Sequence, residues 1–214
     1  MNNNDLNLNI VRQFKLQFEK NCIHLLIEGY RILKDKSKLK ELSENNITVQ
    51  LVKSMKTIPE RVVYQISLNR EAYYDDDDIY SGLKDADKSV RIDIKYSTWS
   101  SNFEYEYFME AKNLSENDWV KSHSNVKVKS LSQCKRYIET GILNFISGIY
   151  PHGCLVGYVV EGTQNGVVNR INNLLSEVKR DKEHLINEGN NFRYISKHIG
   201  SSIENLEHYF LTFN

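Results

Sequence analysis

At 214 residues and 25.0 kDa, with 40% hydrophobic residues, the chain has the size of one ordinary domain and enough apolar material to fill a core, which excludes a disordered tail. Its 28 basic residues balance 28 acidic ones, for a net charge of zero and a pI of about 7.0, so a histone-like or polybasic coat for nucleic acid is excluded as well. Cys22, Cys134 and Cys154 are odd in number and far apart, without a C-x-x-C pair. That pattern fits neither a disulfide framework nor a thiolate zinc site, and reduced, buried thiols are expected.

The first five residues lack the basic and apolar regions of a signal peptide. The most apolar stretches, 24–27 and 154–160, fall far short of the roughly 18 residues that cross a bilayer. A soluble, cytoplasmic protein with no membrane contact is expected. With two prolines, ten glycines, no linker and no repeat, the chain reads as a single domain over 1–214, an N-terminal helical segment (1–40) leading into a core of 41–214.

In chain order, Ile10, Phe14, Phe18, Cys22, Leu25, Leu26 and Ile32 recur near a 3.6-residue period and predict one long helix over 6–33. Ser43 suits the N-cap of a second helix reaching Met55. The β-branched, aromatic run 62–68 predicts a first strand. Between Glu71 and Lys88 seven acids (Glu71, Asp75, Asp76, Asp77, Asp78, Asp85, Asp87) face two lysines, a local charge of −5. A calcium loop counted from Asp75 would need Gly and Glu where Tyr80 and Ala86 stand, so this run reads as a solvated, turn-rich loop.

Two alternating strands follow. In 91–96, Ile92, Ile94 and Tyr96 alternate with Arg91, Asp93 and Lys95; in 105–112, Tyr105, Tyr107, Met109 and Ala111 alternate with Phe108, Glu110 and Lys112. Neighbours in sequence, they are expected to pair antiparallel. Then come a helix over 131–147, a buried strand over 154–160, a helix over 164–178, and late strands at 192–196 and 207–213. The order α-α-β-β-β-α-β-α-β-β predicts a mixed α/β (α+β) domain.

Glu110 and Lys112, two apart on a strand, share one face, and pairing with the preceding strand brings Asp93 beside them. Two carboxylates with the Ala111 carbonyl make a hard-oxygen set suited to Mg²⁺ or Mn²⁺, and an adjacent lysine suits charge developing on a scissile phosphate. The bland alternative is a cross-strand charge cluster, with Asp93 neutralised by Arg91 and Lys95.

Asp93 followed by Glu110-Ala111-Lys112, with helices before and a helix and strand after, resembles the PD-(D/E)XK, restriction-endonuclease-like nuclease superfamily. The stretches 137–150, 157–159, 194–198 and 208–213 are similar to bacterial members found beside defence or mobile genes, and the likeness then spans roughly residues 41–213. Ile92 stands where the motif's name has Pro. The resemblance implies a central mixed sheet flanked by helices, hydrolysis of nucleic-acid phosphodiesters with DNA as the favoured substrate, and a role in anti-phage defence or restriction. It implies Asp93 and Glu110 as metal ligands, Lys112 as catalytic lysine, and Glu44 as a further acid from the first core helix. A non-catalytic subunit that keeps the fold within a defence complex, and a homodimer, are the alternatives in partnership.

From Trp119 to Ile138 no acid occurs, while Lys121, Lys127, Lys129, Lys135 and Arg136 sum to +5, with His123 in addition; they are candidates for phosphate-backbone contact. His198 and His208 have no spacing that fixes a metal geometry and read as core or surface histidines. Tyr137 reads equally as packing or as substrate contact.

Overall fold

The structure is a computed structural model that describes residues 3–35, 39–75, 77–99, 104–189 and 192–213, with side chains from residue 8 onward. The long N-terminal helix forms as α1 (Asn3–Leu33). Phe18, Cys22, Leu25, Leu26, Tyr30 and Leu33 are buried, whereas Ile10, in the N-terminal part of α1, and Ile32, in its last turn, are exposed although they belong to the predicted face. A second helix, α2 (Glu44–Lys56), is capped by the Ser43 hydroxyl, which accepts from Asn46 N.

The expected strand at 62–68 is corrected. Pro59 opens a helical turn, α3 (Glu60–Val63), and Gln65 at φ 55° reverses the chain, so Val62 and Val63 stand in solvent despite their β-branched side chains. The strand β1 (Ser67–Tyr74) starts later and takes in Glu71 from the predicted acidic loop. The rest of that run holds a short helix, α4 (Asp77–Tyr80), and a 3₁₀ turn (Ala86–Lys88); Asp76 lies outside the described residues.

Strands β2 (Val90–Trp99) and β3 (Glu104–Ser115) follow, then a small hairpin, β4 (Trp119–Val120) with β5 (Lys127–Val128), that the sequence pattern did not signal. The helix expected over 131–147 is built in three pieces: α5 (Ser130–Arg136), a π-helical segment (Tyr137–Ile142) and α6 (Leu143–Ile146). Next come β6 (Gly153–Glu161), α7 (Gln164–Glu177), a short β7 (Ile186–Asn187), β8 (Arg193–Lys197) and β9 (Asn205–Thr212).

Seven strands form one mixed sheet in the order β1-β2-β3-β6-β9-β8-β7. The first three pair antiparallel, β3/β6 and β6/β9 are parallel, and β9/β8/β7 are antiparallel again. A parallel neighbour needs a crossover, and α5 to α6 and then α7 supply the two that this order requires. The carboxylate of Glu116 accepts from Thr163 N at 2.7 Å and so holds a negative charge at the N-terminus of α7.

Two cores result. Alternate residues of β3 and β6 (Tyr107, Met109, Ala111; Cys154, Val156, Tyr158) pack under α1 and α2, while Phe108, Leu155 and Val159 pack under α5 to α7. All three cysteines are free and buried, as expected. Among the described residues no helix is long and apolar enough to cross a membrane.

At the start of β6 the backbone of β3 comes very close. A Cβ on Gly153, at φ 148°, would lie 2.0 Å from the Phe108 carbonyl oxygen. Gly153→Ala is therefore expected to cost about 3 kcal/mol in chemical denaturation. Gly200→Ala, where φ is 79° but nothing lies within 4 Å, is expected to cost only about 1 kcal/mol.

Candidate functional site

The ladder between β2 and β3 stops at Ile94↔Met109, although β2 goes on pairing with β1 as far as Val90. Beyond that point β2 leaves β3, and β3 would present unpaired N–H groups toward the gap. Two carboxylates take over: Asp93 Oδ2 accepts from Ala111 N at 2.8 Å, and Glu44 Oε2 accepts from Asn113 N at 2.9 Å. The local geometry of β1 is fitted to this parting. Glu71, which the β1/β2 ladder passes over between Arg70↔Ile94 and Ala72↔Ile92, lies in the left-handed region at φ 50°, and Ile92 and Ile94, two apart, enter different cores. The uniform dry face expected for this strand is broken at Asp93.

Glu110 and Lys112 stand on the predicted common face of β3, and both are buried. The Lys112 ammonium donates to Glu110 Oε1 and to the Ala111 carbonyl at 3.0 Å, and lies 3.9 Å from Glu44 Oε1. The other oxygen of Glu110 accepts from the Tyr150 hydroxyl at 3.2 Å, and the same hydroxyl reaches the Arg91 carbonyl at 3.2 Å. Arg136, at the end of α5, lies 3.7 Å from Glu44 Oε1. Asp93, Glu110, Lys112 and Glu44 thus meet where the strands part, Glu44 arriving from the α2 layer and Tyr150 from the opposite one.

Burial, then the charge of Asp93, pushes Glu110 up to about 7 against the pull of Lys112 and the Tyr150 hydrogen bond. Burial also raises Asp93, against Lys112 and the Ala111 N–H, with Glu44 adding to the rise. The first cause of both shifts is burial, so the carboxylates sit in this site at a desolvation cost that Lys112 offsets only in part.

Among the described residues no group of three or more His, Cys, Asp and Glu side chains is placed to hold a metal ion. The oxygens that could do so are those of Asp93 and Glu110 with the Ala111 carbonyl, two of the three positions being held by the Lys112 ammonium.

The basic segment divides. Lys121 is engaged in structure: its ammonium donates to the carbonyls of Glu41 (3.0 Å) and Leu42 (3.1 Å), anchoring the approach to α2. Lys127, Lys129, Lys135 and Arg136 are exposed.

A second polar cluster lies away from this gap, and spacing gave no sign that its members would join. Tyr137 Oη is 2.8 Å from His208 Nδ1, His208 Nε2 is 2.7 Å from Ser196 Oγ, Ser196 Oγ is 2.6 Å from His198 Nε2, and His198 Nδ1 is 2.5 Å from Glu183 Oε2. Glu183, paired with Arg180, is held below the usual carboxylate range. It therefore requires a proton on His198 Nδ1, which makes Ser196 donate to His198, His208 donate to Ser196, and Tyr137 donate to His208. Burial lowers both histidines, His208 to about 3. Glu183, His198 and Ser196 have the order of a hydrolytic triad, but Ser196 is fully buried and its oxygen is taken by His208. These are core histidines, as the sequence suggested, and Tyr137 is a packing residue.

Because folding raises Glu110 from its ordinary value near 4.5 to about 7, the folded chain binds that proton more tightly than the unfolded one. Stability is lost as the pH climbs through this window. Glu110→Gln, which cannot ionise, is expected to be more stable than the wild type by about 2 kcal/mol at pH 8, the difference closing below pH 4.5. Denaturant titrations across pH measure this directly, and a variant less stable at pH 8 would contradict the assigned electrostatics.

No family model matches this chain, and neither a curated protein nor a solved structure matches it.

Proposed function

We propose that the protein is a metal-dependent nuclease of the PD-(D/E)XK, restriction-endonuclease-like kind, hydrolysing nucleic-acid phosphodiesters, with DNA the favoured substrate and defence or restriction the setting. The observation that carries this reading is the meeting of Asp93, Glu110 and Lys112 where β2 parts from β3, joined by Glu44 from α2. The chain order supports it. Asp93 lies on the second strand of an antiparallel meander, the E-x-K on the third, and helix and parallel strand follow.

The donor set fits the implied cation. Two carboxylates and a carbonyl are few protein ligands, and Mg²⁺ is commonly held by one or two carboxylates while keeping several waters. Asp93, Glu110 and the Ala111 carbonyl would hold it, and the chemistry it supplies when bound is acidification of a water and neutralisation of charge on the phosphate. The residues do the rest. The Ala111 N–H fixes one oxygen of Asp93, and Lys112 brings a compact positive charge to the place where phosphate charge develops. Arg136, Lys127, Lys129 and Lys135 provide exposed cations on the α5 side for backbone phosphates.

One observation favours a second reading, a nuclease-fold subunit of a larger assembly that does not cut. The Lys112 ammonium already occupies Glu110 Oε1 and the Ala111 carbonyl, so the cluster is locally satisfied.

One experiment separates the two. Purified wild type, Asp93→Asn, Glu110→Gln and Lys112→Ala are incubated with DNA and RNA in Mg²⁺ or Mn²⁺. Cleavage by the wild type, lowered about 100-fold or more in each variant, is expected. Unimpaired cleavage by all three variants overturns the site, and no cleavage by the wild type with either cation favours the subunit. Lys135→Ala is expected to weaken DNA binding a few-fold and to reduce its salt dependence, with little change in the rate at saturating substrate.

A further inference from the structure

Tyr150 follows α6 in the turn that leads into β6, and its ring is buried between Phe108 and Phe145, with the Phe145 ring edge-on at 5.1 Å. The Tyr150 N–H donates to the Asn144 carbonyl at 3.0 Å, so the backbone is fixed as firmly as the ring. Its hydroxyl lies 3.2 Å from two acceptors on different strands: Glu110 Oε2 on β3 and the carbonyl of Arg91 on β2, two residues before Asp93. A phenol has one proton, so it serves both acceptors only as a shared donor.

That position matters because of what is missing around it. From Asp93 and Glu110 onward no ladder bond joins β2 to β3, so the ladder that ends at Ile94↔Met109 does not by itself fix the spacing of the two carboxylates. Cross-links complete it: the Asp93 bond to Ala111 N and the Tyr150 bridge from Arg91 to Glu110. Lys112 holds Glu110 by its first oxygen only, at the end of a flexible stem, whereas Tyr150 holds the second oxygen from a rigid, packed ring.

We infer that Tyr150 is a positioning residue of the candidate site, fixing Glu110 relative to Asp93 so that the two carboxylates are set for one divalent cation before it arrives. This rests on the reading of that pair as a cation site. Partners that orient a metal ligand typically govern affinity by 10–100-fold without touching the metal. The Tyr150 hydroxyl bonds Glu110 and the Arg91 carbonyl and is not itself one of the proposed ligands, so its loss acts on cation affinity and leaves the rate at saturating cation close to that of the wild type.

The test titrates Mn²⁺ into the full chain by calorimetry at about 10 °C, where a mildly destabilised variant stays folded, for wild type, Tyr150→Phe and Tyr194→Phe. Tyr150→Phe keeps the ring and removes only the bridge. Tyr194→Phe removes another part-buried phenol bond, to Asn165 Oδ1, remote from the gap and in the same core, and so reports on general loosening. The expected result is a Kd about 10-fold weaker for Tyr150→Phe and unchanged for Tyr194→Phe. In parallel, the Mn²⁺ midpoint for cleavage rises by the same factor, with kcat at saturating Mn²⁺ within about three-fold of the wild type. Equal Mn²⁺ affinity in wild type and Tyr150→Phe overturns the positioning role while leaving the cation site intact, as does equal weakening in both variants. A wild type that binds no Mn²⁺ overturns the cation site itself, and the inference with it.

Discussion

The structure depends on a break in a β-ladder. Where β2 leaves β3 after Ile94↔Met109, buried N–H groups on β3 lose the partners a sheet would give them, and leaving such groups bare costs a few kcal/mol each. The chain replaces backbone acceptors with carboxylates, Asp93 for Ala111 and Glu44 for Asn113. This requirement brings acids into a place where burial penalises their charge. The same penalty then recruits Lys112 and Arg136 as counter-charges. A gap in the sheet and a cluster of ionisable groups are thus one feature: the backbone needs acceptors, and the acceptors need cations.

The surrounding fold is arranged to keep this gap at a fixed width. The strand on the outer side bends at Glu71, whose carboxylate is tied to Arg70 and to Asn45 at the start of α2. On the inner side β3 is held by a parallel ladder to β6 that keeps one register from Phe108↔Gly153 to Leu114↔Val159, past the gap, and the close approach at Gly153 starts that ladder. Above one face lies the N-terminus of α2 with Glu44, and above the other the turn carrying Tyr150. The relay from Tyr137 to Glu183 ties the π-helical segment to β8 and β9, and with it the helix whose end carries Arg136.

The sequence was most legible where one periodicity and one burial environment coincide. β3 reads correctly because its two faces enter two different cores, and the placing of Glu110 with Lys112 follows directly from its period of two. β6 reads correctly for the same reason, and α7 because its apolar face enters one core. Val62 and Val63 misled because β-branching reports how a residue suits a half-buried pleat, not whether a sheet is there, and Pro59 with the left-handed Gln65 turned the chain first. Asp93 was found, but its true partner, a backbone N–H, was invisible, because alternation carries no information about where a ladder ends. Tyr150 and Glu183 were beyond reach for a plainer reason: each bonds residues some 15 to 59 positions away, and no local pattern encodes a contact of that span.

The net charge of zero takes on a spatial meaning once the gap is located. The acidic run hangs from the β1–β2 connection, tied back by Ser89 to Asp75 at 2.5 Å, four residues before Asp93. The basic run belongs to the β4–β5 hairpin and α5, joined to the other flank through Lys121 on Glu41 and Leu42 and through Arg136 beside Glu44. One flank of the gap is thus anionic and the other cationic, a separation of charge that the overall sum conceals. Under the proposed reading a phosphate backbone is drawn to the α5 flank and repelled from the β1–β2 flank. A chain of high net positive charge would hold nucleic acid everywhere; this one, neutral overall, can favour it only where its cations are gathered.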